Sequence, residues 1–99
     1  MARRIVLTLL ALAAIGQAQA WAKSVLSKPG LSPEERIQSM YETIFARPPS
    51  AAEVQRALAF LDQQGQAYGL KPDRRASDQA VWSDFCQVLM NVKEFIFLN

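Results

Sequence analysis

Apolar positions recur at helical spacing through the middle of the chain. Ile37, Met40, Tyr41, Ile44 and Phe45 fall at i, i+3, i+4, i+7 and i+8, which places them on one face of a helix. After a break, Val54, Ala57, Leu58 and Leu61 repeat the stripe, with Phe60 beside them. Each stripe follows a start signal. Ser32-Pro33-Glu34-Glu35 supplies a hydroxyl that accepts from the free N–H groups of a first turn, then a proline where no donor is missed. Glu35, three residues after the serine, can reach back to the cap. Ser50-Ala51-Ala52-Glu53 repeats the capping logic. Between them Pro48 pushes Arg47 out of the helical region, so the first helix stops near Ala46. Arg47 then falls where its charge complements the negative helix end. Glu34 to Leu61 therefore predicts two amphipathic helices joined at Arg47-Pro48-Pro49-Ser50 and packed as an antiparallel or steeply crossed pair.

The flanks are read in the same way. Trp21 and Val25 share a helical face that Pro29-Gly30 ends. Gly65 closes the regular pattern of the second hairpin helix, and Gln66 to Ser77, with Gly69 and Pro72, reads as a surface loop. Ser77 or Asp78 caps a further helix whose apolar face is Val81, Trp82, Phe85, Val88 and Leu89, with Cys86 adjoining. Asn91-Val92-Lys93-Glu94 has cap spacing on a short turn. Phe95-Ile96-Phe97-Leu98 is aromatic and β-branched, which predicts an extended tail docked on the hairpin or on a partner. The expectation is an all-α fold: a small bundle of three to four helices built on a helical hairpin, with a short extended C-terminal tail.

The first twenty residues have a different pattern. Arg3 and Arg4 precede an apolar run from Ile5 to Ile15, broken only by Thr8, and Ala18-Gln19-Ala20 supplies a small-residue site. These are the parts of a secretory signal peptide in order. Residues 1–20 are expected to be a leader cleaved after Ala20, and residues 21–99 a small helical domain exported to the periplasm or cell surface. The run is shorter than the roughly 20 residues a bilayer needs, so no stable membrane span is expected once the leader is removed.

Charge changes the picture once the leader is set aside. The chain carries eleven basic and nine acidic residues. Without Arg3 and Arg4 the balance is nine against nine, and only Lys71, Arg74 and Arg75 cluster, diluted by Asp73 and Asp78. A nucleic-acid partner, which needs a clustered basic face, is not expected. The chain has one cysteine and no histidine. Cys86 reads as a buried small hydrophobe, since no base or cation stands near it in sequence. No pair of carboxylates is flanked by a nucleophile or base, so no catalytic, metal-ligating or cofactor-binding residues are expected. The aromatic and methionine positions read as core, and Tyr41 stands out because its hydroxyl needs water or a partner.

Two motifs carry a resemblance. One runs from Glu35-Arg36-Ile37 through Tyr41 to Arg47-Pro48-Pro49-Ser50-Ala51-Ala52-Glu53 and Leu58-Ala59-Phe60-Leu61. The other closes the chain, from Trp82 through Phe85, Leu89 and Asn91 to Glu94-Phe95. Together they resemble the C-terminal portion of a planctomycete-type domain of unknown function found in large exported proteins, often beside cytochrome-c-like domains. The similarity covers roughly residues 17–99, and a glycine often stands in the family where this chain has Ala46. The family's domain is longer, and its associated haem motif, C-x-x-C-H, is absent here. The resemblance implies an exported module with a structural or protein-interaction role, and a larger cell-surface protein or a cytochrome-like protein as partner. Tyr41, Arg47, Trp82, Asn91 and Glu94 are the candidate interaction or motif residues. Two rival readings are an accessory piece of an enzyme or redox assembly and a truncated gene fragment without independent function.

Overall fold

A computed structural model describes the backbone of residues 16–98 and the side chains of residues 16–93. The described chain is all-α, with five helices. We number them α1 (16–26), α2 (Pro33–Phe45), α3 (Ala51–Ala67), α4 (Pro72–Arg75) and α5 (Gln79–Leu98). The hairpin α2–α3 forms as the pattern predicts, and α5 packs against both of its helices. The core is one cluster. Ile37, Met40 and Tyr41 come from α2, Ala57 and Leu61 from α3, and Val81, Trp82, Phe85, Cys86 and Leu89 from α5. From α1 come Ala18 and Ala22, with Trp21, Val25 and Leu26 at the margin. The expected cleavage point after Ala20 lies inside α1, between these two buried alanines.

Both capping boxes close. Ser32 Oγ accepts from the Glu35 N–H at 3.2 Å while Glu35 Oε1 accepts from the Ser32 N–H at 3.1 Å. Ser50 and Glu53 do the same at 3.1 and 2.9 Å. Asp78 caps α5, its Oδ1 accepting from the N–H groups of Ala80 and Val81. Ahead of α2, the Arg36 guanidinium donates back to the carbonyls of Lys28 and Leu31, which ties the α1–α2 link to the helix it leads into.

α2 ends at Ala46, whose φ of 56° is left-handed. An L-residue with a Cβ pays about 1–2 kcal/mol there, and glycine does not. Ala46→Gly is therefore expected to raise unfolding free energy by about 1 kcal/mol in a urea titration, net of glycine's greater freedom in the unfolded chain.

Three expectations need correction. First, Gly65 does not end α3. The helix runs on to Ala67 and stops in a Schellman arrangement, with Leu70 N–H donating to the Gly65 carbonyl, Gly69 N–H to Gln66, and Gly69 at φ 74°. Gly65 is buried because the Arg75 side chain lies across it, and a Cβ at that position would overlap Arg75 Cβ and Cγ. Second, the loop expected over Gln66 to Ser77 is partly helical. Pro72 starts the single turn α4, and Arg75 anchors it by donating to the Leu70 carbonyl and to Asp62 Oδ1. Third, no extended tail follows a turn at Asn91. α5 is continuous from Gln79 to Leu98, so Asn91 is helical and exposed rather than a cap. Extending an existing helix adds one hydrogen bond per residue fixed and needs no new nucleus, which outweighs the β-propensity of the closing residues.

Candidate functional site

The sharp end of α2 sends Arg47 back over its own helix. Its guanidinium carbon stands 5.7 Å from the ring centroids of both Tyr41 and Phe45. From there it grips Glu53 with two parallel bonds, Nη1 to Oε1 at 2.8 Å and Nη2 to Oε2 at 2.9 Å. Glu53 is the third residue of α3, so the carboxylate that closes the α3 capping box is also the ion-pair partner across the turn. Sequence position alone assigned Arg47 to the α2 dipole; its partner is a side chain six residues on.

These bonds hold the Glu53 carboxyl down at about 2, through Arg47 first and the Ser50 N–H second. The same pair raises Arg47 further. Tyr41 is raised mainly by burial, with Glu53 adding to it. A carboxyl depressed in the fold contributes stability that is present above its ordinary value near 4.5 and lost as pH falls toward about 2. Glu35, lowered by its own capping bonds to Ser32, acts in the same direction. Melting temperature is therefore expected to fall across this acid window. In Glu53→Gln the fall is expected to be shallower, leaving the Glu35 component.

Beside this pair, α2, α3 and α5 leave a cleft of ≈ 250 Å³. Tyr41 and Phe45 line it from α2, Ala57 and Phe60 from α3, and Phe85 and Leu89 from α5. The Phe60 and Phe85 rings meet at 6.0 Å in a tilted pair. Arg47, Glu53 and Arg56 form a charged rim on one side. Val88 and Val92 stand at the mouth, 40% and 43% exposed. The site is thus a hydrophobic surface with one polar edge, suited to holding an apolar group rather than to moving protons.

The structure brings Tyr41 and Arg47 together in this cleft and keeps the other candidates apart. Trp82 is fully buried, meets Phe85 edge-on at 6.1 Å, and donates from Nε1 to the Ala76 carbonyl at 2.9 Å. It holds the end of α4 against α5. Asn91 accepts from Gln87 Nε2 on the exposed face of α5. The side chain of Glu94 lies outside the described residues. Val92, placed by sequence in a turn, belongs to the cleft because α5 continues through it. The spacing of Phe85, Val88, Leu89 and Val92 on one face was the available signal.

Away from the cleft, Asp84 accepts from both Gln64 Nε2 and Tyr68 Oη, at 2.8 and 2.7 Å, and fixes the end of α3 to α5. Cys86 is buried, and its thiol is pushed up to about 12 by that burial. Among the described residues no group of His, Cys, Asp and Glu is placed to hold a metal ion. No helix among them is long and apolar enough to cross a membrane. No family model, curated protein or solved structure matches the chain.

Proposed function

We propose that this chain is a non-enzymatic interaction module of an exported protein, and that its cleft receives an apolar segment of a larger cell-surface partner. The observation that carries the reading is the open mouth of the cleft, where Val88 and Val92 leave apolar surface in water beside an aromatic floor. The resemblance to the planctomycete-type domain points to the occupant: the preceding part of that longer domain, which would close over the hairpin. The backbone at Ala46 is in keeping with the resemblance. It adopts the left-handed conformation that favours the glycine often found at that point in the family. A segment docking here would bury the two valines and set a polar group against the Arg47–Glu53 rim.

The test is made in the native cell. A photo-crosslinking residue is placed at Val88, and in a control at exposed Lys23, followed by fractionation and N-terminal sequencing. The expected result is a protein outside the cytoplasm beginning at Trp21 and crosslinked from position 88, not 23, to an exported protein carrying the rest of the domain. An intact Met1 in the cytoplasm, or equal crosslinking from both positions, overturns the proposal.

A further inference from the structure

A second cleft, of ≈ 290 Å³, lies between α1 and α2, with Trp21, Val25, Leu31 and Met40 as its apolar lining. Its polar lining is Ser24, Lys28, Arg36, Ser39 and Thr43, and no carboxylate reaches it. Neither Lys28 nor Arg36 forms an ion pair among the described residues. The nearest carboxylate along the chain, Glu35, accepts from the Ser32 N–H and feels the Arg36 charge without pairing with it. Arg36 directs its two terminal nitrogens to the Leu31 and Lys28 carbonyls, and its buried Nε finds no acceptor. The two terminal bonds pin the guanidinium at the wall of the cleft, where no carboxylate is among the lining residues. The hydroxyl of Thr43 is engaged with the Ser39 carbonyl. Those of Ser24 and Ser39 are left to donate, one from each wall.

We propose that the α1–α2 cleft binds a small oxyanion of the phosphate or phosphate-monoester class. Lys28 supplies the mobile charge, Arg36 the fixed charge, and Ser24 and Ser39 the neutral donors. Charge-assisted hydrogen bonds to phosphate oxygens are the stronger kind, and a tetrahedral anion suits donors arriving from two walls. The site is separate from the apolar cleft and does not depend on the docking reading.

The experiment is a titration of the full chain, ¹⁵N-labelled, with inorganic phosphate at ionic strength held constant by chloride. Saturable shifts are expected at Ser24, Lys28, Ser39 and the Arg36 Nε–H, with none at Val88. Lys28 and Ser39 are exposed, so Lys28→Gln and Ser39→Ala leave the core intact. Each is expected to weaken binding by about tenfold, the worth of one hydrogen bond to a charged group. Shifts that grow linearly without saturation, or that are unchanged in both variants, overturn the proposal. Sedimentation with phosphatidate vesicles but not phosphatidylcholine vesicles, lost in Lys28→Gln, identifies a lipid headgroup as the source. Saturable phosphate binding without such sedimentation identifies a soluble phosphate.

Discussion

Trp82→Ala is expected to lower the unfolding free energy by about 3–5 kcal/mol, measured by urea denaturation followed in the far-ultraviolet circular dichroism. Among the described residues Trp82 is the largest fully buried side chain. Its removal leaves a cavity against Phe85 and takes from the Ala76 carbonyl the indole donor that ties the end of α4 to α5. A domain of this size has roughly 5–15 kcal/mol in total, so the variant sits near the edge of folding. Trp82→Phe separates the two effects. It keeps most of the buried ring and loses the indole N–H, at a cost of about 0.5–1.5 kcal/mol for the lost hydrogen bond, since Ala76 is exposed and water can reach its carbonyl. Trp21, the second tryptophan, remains as a fluorescence probe in both variants.

The second large effect is expected at Ala22→Asp. Ala22 is fully buried where α1 meets the core. A carboxylate there has no partner and must either be desolvated or be protonated, which costs several kcal/mol. Lys23→Asp makes a similar change one position along, on the exposed side of the same helix. It is expected to move stability by no more than about 0.5 kcal/mol. A large effect at 22 with none at 23, in the same denaturation assay, shows that α1 packs as part of the fold. Equal and small effects at both show that it does not. The comparison holds for a chain starting at Trp21, which keeps Ala22, Val25 and Leu26 but lacks Ala18.

The hairpin was legible because its signals are local. Two serine–glutamate boxes, two stripes and a proline state where each helix begins and ends, and the backbone follows them within a residue or two. The errors arose where a distant side chain decides. Gly65 reads as a stop until Arg75, ten residues on, is seen lying across it. The C-terminal apolar run reads as strand when taken alone, and becomes helix because α5 is already under way. Arg47 has the same character. Its helix-end position was visible, but its bidentate hold on Glu53 needed the left-handed Ala46 to turn the chain back. The cleft was half legible: Tyr41 and Arg47 were singled out, while Val88 and Val92 passed as core face and turn.

Cys86 gives the molecule a clock for its own opening. Only a thiolate attacks a disulfide reagent, and here the thiol is both buried and held up at about 12. Near neutral pH, reaction must await an excursion that lifts α5 off the hairpin. Because the chain has a single cysteine, every labelled molecule records one such event at one place. The labelling rate under native conditions, divided by that of the unfolded chain, then gives the equilibrium constant for exposing this helix. The docking segment proposed for the neighbouring cleft should slow the same clock when it binds.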